Sequence, residues 1–379
     1  MNSLDLQILG QTAKRYFHNR REKRRTGLYP LDMLILYVTM RCNAKCDHCF
    51  CWEDLNIGIP EMSLEQIESL AGSVPPMRTL ILTGGEPTLR ADLPEVFSAF
   101  ARHGKAETIM VNTNGLKPDL IESLARRMKS EHPGTGLDFQ ISIDGLEETH
   151  DRIRGVPGNF RKAISSLQRV FELAREFPAL SAHVLTVITE LNHRELVALN
   201  DHLREHVGPQ IIHGFELVRD VETSAWGIPE EIREKGVGPK AMNMPPVEEF
   251  DRIAEDLKTI QRRSTPRVSS FHIHNLAQLE MVRTQREQYP CVTAGQAVGV
   301  IYSNGDVAHC EFTLPFANLG KFDFDFEKLW HSPAANERRG QIRSCFCTHG
   351  CFHGKAVEYS LKGLREMARA SLPGLRSAK

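Results

Sequence analysis

Six short apolar runs, each followed by a segment of helical spacing, constrain this chain more than any other feature. They are LILYVTM (34–40), TLILTG (79–84), ETIMVNT (107–113), LDFQISID (137–144), SAHVLTVIT (181–189) and IIHGFELV (211–218). Their length and β-branched content are those of strands, and runs apolar on both faces read as buried parallel strands. Leu64–Ala71, Leu93–His103, Leu120–Lys129, Phe160–Phe177 and Arg194–His206 carry the helical period between them. Parallel strands joined by helices cross over right-handedly. The expectation is an α/β unit, either a doubly wound sheet or a barrel, complete or partial. Either architecture puts its chemistry at the carboxyl ends of the strands.

The flanks are different. Residues 2–25 read as a helix, with Leu4 and Ile8 on one face and Leu9, Ala13 and Phe17 repeating every four. Its end is basic: Lys14, Arg15, Arg20, Arg21, Lys23, Arg24 and Arg25 stand against Glu22 alone. Such an end complements the helix dipole, or meets an anionic partner such as a lipid headgroup or a substrate phosphate. Beyond residue 219 the rhythm stops. Residues 220–245 are Gly- and Pro-rich loop, and Val247–Arg262 and Ile273–Arg286 look helical. GVIYSNGDVAHC (299–310) reads as a hairpin with Asn-Gly at its tip, a small β element apart from the first unit. A net charge of −1 argues against nucleic-acid binding driven by overall charge. The longest apolar stretch, Leu31 to Met40, is about half a membrane span. The first residues lack a charged segment leading into an apolar one, so a cytoplasmic, non-transmembrane protein is expected.

Nine cysteines fall into two groups, Cys42, Cys46, Cys49 and Cys51, then Cys291, Cys310, Cys345, Cys347 and Cys351. With no export signal, metal binding or catalysis is the expected use. Cys42-x3-Cys46-x2-Cys49 follows the first strand, and three thiolates can hold three corners of a [4Fe–4S] cluster while leaving one iron open. Zinc is the competing metal, with His48 or Cys51 completing a set of four.

VTMRCNAKCDHC at the first strand end resembles the signature of the radical S-adenosylmethionine (radical SAM) family. TGGEP (83–87) follows the second strand, NTNG (112–115) the third, and ISIDG (141–145) ends the fourth, with HDRIRG (150–155) after it. The resemblance covers roughly residues 34–220. It implies a partial (β/α)6 TIM-like barrel that binds a [4Fe–4S] cluster through Cys42, Cys46 and Cys49, and SAM. The SAM contacts it implies are His48 by the adenine, Thr83, Gly84, Gly85 and Glu86 at the methionine amino group, and Asn112 beyond the third strand. It further implies Ser142 and Asp144 near sulfonium and ribose, Arg154 at the carboxylate, and Asn192 as a looser contact. Glycines let a backbone approach a ligand closely, and a guanidinium grips a carboxylate through two parallel bonds. Cys51 stands outside the motif as a neighbouring free thiol.

Cys291-x13-Gly305-x4-Cys310 resembles the opening of the SPASM/twitch extension, which carries auxiliary iron–sulfur clusters. ANLGKFD-FDFEKLW (317–330), with Trp330, resembles its helix-leading segment, and Cys345, Cys347 and Cys351 close it. Five thiols imply one auxiliary [4Fe–4S] cluster held by Cys291, Cys310 and two of the last three. A zinc knuckle is the alternative. His349 and His353 are expected to be solvated. Glu311, directly after Cys310, is the candidate general base, with His309 as its rival. The expected units are a basic helix (1–33), the barrel (34–220), a connector (221–290), the cluster extension (291–354) and a C-terminal helix and tail (355–379). The expected function is reductive cleavage of SAM to a 5′-deoxyadenosyl radical that abstracts hydrogen from a peptide or protein side chain. A lipid, sugar or cofactor precursor is the alternative substrate, and a non-catalytic iron–sulfur or zinc protein the alternative class. Implied partners are a reductant of flavodoxin or ferredoxin type and the substrate, with no nucleic acid.

Overall fold

The apolar runs form strands because their alternate residues have two different surfaces to meet. The computed structural model describes residues 3–234, 238–264, 269–343 and 345–371. After helix α1 (Ser3–Thr26), strands β1 (Met33–Thr39), β2 (Met77–Gly84), β3 (Ala106–Thr113), β4 (Gly136–Ser142), β5 (Leu180–Ile188) and β6 (His213–Leu217) pair in chain order, all parallel. Helices α2 (Leu64–Ser73), α3 (Leu93–Arg102), α4 (Pro118–Glu131), α5 (Glu147–Arg154), α6 (Asn159–Leu173) and α7 (Leu196–His206) return the chain between strands. Ser63 and Gln66 form a reciprocal cap that starts α2.

One strand face packs on those helices. Leu34, Leu36, Leu80, Leu82, Val111 and Phe139 join Phe97 and Phe100 in the main core. The opposite face, including Ile35, Tyr37, Thr83, Asn112, Gln140 and His183, encloses a cavity of ≈ 580 Å³. A doubly wound sheet would bury that second face under helices; here it lines a lumen, so the fold is an open six-stranded partial barrel.

The remaining elements are α8 (Val221–Ser224), β7 (Ala225–Trp226), α9 (Phe250–Arg263), α10 (Ser270–Thr284), β8 (Val298–Ile301), β9 (Asp306–Ala308), β10 (Ala317–Asn318), α11 (Phe326–Trp330), α12 (Pro333–Gln341), β11 (Phe346–Cys347), α13 (Gly350–Glu358) and α14 (Leu361–Ser371). Strand β8 runs parallel to β1, from Met33↔Val298 to Leu36↔Ile301, and β9 and β10 continue antiparallel. The hairpin therefore extends the barrel's own sheet, rather than standing apart as its sequence suggested. Its tip is Gly305, at φ +85°. A Cβ at Gly299 would stand 2.9 Å from Trp330, so that glycine lets the indole close over the added strand. The segment read as loop contains α8 and β7, and β7 pairs antiparallel with β11 beside the last cysteines.

Because β8 completes the pairing of β1, a chain ending at Pro290 would expose that strand as an unprotected edge. Soluble yield and size-exclusion profile should show aggregation; a soluble monomer would contradict the continuous sheet.

Candidate functional site

The loop after β1 is held from two sides. Asn56 accepts from Cys42 N (3.0 Å) and donates to Cys42 O (3.1 Å). The end of α5 accepts Lys45 N at Arg154 O (3.1 Å) and Asp47 N at Ile153 O (2.9 Å). Cys42, Cys46 and Cys49 are free thiols on this frame. Burial pushes Cys42 up to about 12 and raises Cys46. Cys51 Sγ lies 3.7 Å from Cys49 Sγ, and that hydrogen bond holds Cys49 down at about 7 and Cys51 up. Arg154 Nη1 is 3.6 Å from Cys46 Sγ.

The motif residues gather at the same rim, and many brace the loop. A Cβ on Gly84 would stand 2.1 Å from Thr39 O, and one on Gly85 2.3 Å from Arg41 O. The close approach that requires these glycines is to the chain's own backbone after β1. Glu86, fully buried, accepts from Thr88 Oγ1 (2.7 Å), Thr113 Oγ1 (2.8 Å) and Asn114 N (2.7 Å). Asn114 in turn donates to Asn43 inside the cysteine loop (2.8 Å). Arg154 Nε donates to Asp144 (2.6 Å), and His48 Nε2 is 3.4 Å from the same carboxylate. Burial works to raise Asp144, but Arg154 and His48 outweigh it and hold it below the usual range. Burial drives His48 down to about 4, and its Nδ1 has no hydrogen-bond partner among the described residues. Asn192 donates to Asp144 O (2.6 Å) and Val187 O (2.8 Å), which fixes the end of β4 against β5. Ser142 closes β4, half-buried. Asn112 donates to Thr83 Oγ1 (3.2 Å), and its own Oδ1 is buried with no hydrogen-bond partner among the described residues.

Tyr37, Cys51, Thr83, Asn112, Arg219 and Glu311 line the upper lumen. Glu311 is 4% exposed. Tyr37 Oη donates to one of its oxygens, and His349 Nε2 sits between the other and Arg219 Nη1 (2.6 Å from the latter). Burial opposes the charge, yet His349 and Arg219 outweigh it and hold the carboxyl at about 2. His349 and His353, expected in solvent, are 1% and 2% exposed. His353 Nδ1 meets His274 Nδ1 at 2.8 Å; both partners come from distant segments, so local sequence could not show the burial. His309 bonds Ala335 O (2.9 Å) and does not line the lumen. Tyr37 and Arg219 escaped the sequence reading. The signal for Arg219 was a lone cation just past a strand's carboxyl end.

The second cysteine group divides. Cys291, Cys310, Cys345 and Cys347 act on one another electrostatically, and Cys345 Sγ donates to Ile342 O (3.2 Å). Cys351 neighbours Glu311, Arg219 and Glu216, which also act on Cys310 or Cys347, and it alone of the five lines the lumen. Among the described residues, no three His, Cys, Asp or Glu side chains stand ready to hold a single metal ion.

Residues 36–203 match the family described as the radical SAM superfamily. That segment is identified as a radical SAM domain. Fe-coproporphyrin III synthase of Methanosarcina barkeri is 32% identical over 185 residues, 47% of this chain and 42% of that protein. The chain spans half or less of the first curated relatives it matches. Streptococcus suis SuiB bound to S-adenosylmethionine shares the fold at TM-score 0.55 and 16% identity, over 85% of this chain and 71% of that one. anSMEcpe with bound AdoMet does so at 0.55 and 18%, over 90% and 98%. A [4Fe–4S] cluster and SAM are the cofactors that the match over residues 36–203 implies. The loop after β1 fits a cluster: three thiols outside any disulfide, a backbone held on both sides, and a guanidinium beside one sulfur to offset thiolate charge.

Deeper in the lumen, His183 Nδ1 lies 2.7 Å from Asp138. Burial opposes both charges, but the pairing outweighs it, so Asp138 falls and His183 rises from its ordinary value. A raised histidine stabilises fully below its unfolded value of about 6.5, and the gain fades as pH climbs through the folded value. The Asp138 gain is present above about 4. His183→Gln should therefore lose more stability near about pH 6 than near about pH 9 in urea unfolding; equal losses would contradict the pairing.

Proposed function

We propose that this chain is a radical SAM enzyme that takes hydrogen from a substrate held in the barrel lumen. The observation that carries the reading is the convergence of the Cys42–Cys49 loop, the TGGEP and NTNG turns and Asp144–Arg154 on one rim above the lumen. The cluster and SAM together supply, when bound, the electron and the 5′-deoxyadenosyl radical. Cys42, Cys46 and Cys49 hold that cluster, with a flavodoxin- or ferredoxin-type protein as its reductant. His48, Thr83, Gly84, Gly85, Glu86, Asn112, Ser142, Asp144, Arg154 and Asn192 form or brace the SAM pocket. Of these, Thr83 and Asn112 offer polar atoms to the lumen, while Glu86 and Asn192 act by fixing backbone.

Residues 291–354 form a SPASM/twitch-like extension with one auxiliary cluster. Its ligands are Cys291, Cys310, Cys345 and Cys347, which lie together, and Cys351 is a lumen-wall thiol. Glu311 receives the substrate proton. It is ionised at neutral pH, it faces the lumen, and Tyr37, His349 and Arg219 fix both its oxygens. A cavity of ≈ 580 Å³ suits one side chain or one small molecule. A peptide or protein side chain is the first reading. A lipid, sugar or cofactor precursor is the second, favoured by a relative named for making Fe-coproporphyrin III.

Ala at Cys42, Cys46 or Cys49 should abolish 5′-deoxyadenosine in reconstituted protein given SAM and dithionite; persistence would refute the enzyme reading. Cys345→Ala and Cys347→Ala should each lose about four irons, whereas Cys351→Ala keeps them. Iron loss in Cys351→Ala would reassign the ligands. Glu311→Gln should keep both clusters and SAM cleavage but lower product formation; unchanged product yield would remove Glu311 from the mechanism.

A further inference from the structure

Helix α1 packs against α14 and touches the barrel through Arg15 and Lys23. Asp5, Thr12 and Tyr16 are buried, Arg15 pairs with Glu107 (3.3 Å), and Lys23 donates to Gln296 (2.8 Å). The outer face follows the helical repeat Leu6, Gly10, Lys14, Phe17, Arg21, Arg24. Every one of these is exposed, Leu6 by 51% and Phe17 by 65%. The acids nearby are engaged: Glu22 pairs with Arg25, and Glu107 with Arg15. Among the described residues, Lys14, Arg21 and Arg24 make no ion pair. An exposed phenyl ring flanked by unpaired cations is costly in water and well matched to the boundary between headgroups and acyl chains.

We propose that this outer face of α1 docks the protein on an anionic lipid surface. Its place in the fold argues for that occupant. Glu107 is the second residue of β3, and Gln296 lies two residues before β8, so α1 lies at the amino end of the strands. The Cys42–Cys49 loop is at the carboxyl end, the far side of β1, roughly 20 Å away along a seven-residue strand. A reductant docked on α1 would be on the wrong side. A duplex would use the cations but has no use for Phe17 and Leu6, and the chain as a whole carries −1. The lower lumen reaches the surface at the same end, beside Ser181 and the 54% exposed Ile212. A protein seated through α1 therefore presents the barrel's amino end, not its cluster rim, to the membrane. The inference is independent of the reaction.

The test is co-sedimentation of the full-length holoprotein with phosphatidylcholine vesicles, with and without about one third phosphatidylglycerol, at about 0.1 M salt. The wild type should pellet with the anionic vesicles only. The triple change Lys14→Glu, Arg21→Glu, Arg24→Glu should lower partitioning about a hundredfold. Phe17→Ser, which leaves the charge unaltered, should lower it about tenfold. Circular dichroism and 5′-deoxyadenosine formation should match the wild type in both variants, which separates lost docking from lost folding. Failure of the wild type to bind anionic vesicles would overturn the proposal, as would full retention by either variant. Tighter binding to duplex DNA at matched phosphate would also overturn it and make the face a polyanion site.

Discussion

Everything else in this molecule depends on β1 being paired on both sides. Its burial is complete along its length, with β2 on one edge and β8 on the other. The first pairing places the loop that leaves Thr39 against the TGGEP turn, where Gly84 and Gly85 admit it. The second carries the chain from β8 through β9 to Cys310 and Glu311, and so to the hydroxyl of Tyr37 on β1 itself. A single strand thus fixes both thiol groups relative to one lumen, although some 240 residues of sequence separate Cys51 from Cys291.

The rim is dense in buried charge, and its arrangement explains why it holds. An isolated buried ion is far too costly to keep, so each is paired and hydrogen-bonded. Asp144 has Arg154, His48 and the Val187 amide; Glu311 has Arg219, His349 and Tyr37. Removing one partner leaves the other uncompensated, at a typical cost of about 3–5 kcal/mol. Such networks are weak devices for stability alone. They are effective at fixing carboxylates and guanidinium groups in one orientation and one protonation state.

Much of this was legible in the sequence, for a definite reason. Runs such as LILYVTM are apolar enough to name strands without knowing their neighbours, and CxxxCxxC with TGGEP, NTNG and ISIDG marks successive strand ends. What stayed hidden depends on distant partners. The pairing of β8 with β1 links segments far apart, and nothing in GVIYS names Leu34 or Leu36 as its neighbour. His349 and His353 read as solvated because Glu311 and His274, which bury them, lie elsewhere in the chain. Helix α5 passed unnoticed as a helix because Ile153 is its only aliphatic residue. Tyr37 was hidden inside an apolar run, since alternation along β1 points it into the lumen and only the fold shows what lies there.

The central claim is that the two thiol groups hold two iron–sulfur clusters around one radical-generating site. The most direct test is anaerobic reconstitution of the wild-type chain, with metal and sulfide counted and 5′-deoxyadenosine followed by mass spectrometry after SAM and dithionite. The account predicts about eight irons per chain, in two clusters of four, together with deoxyadenosine. Zinc in place of iron, with no deoxyadenosine from the reconstituted protein, would contradict it and leave a metal-binding scaffold as the better description.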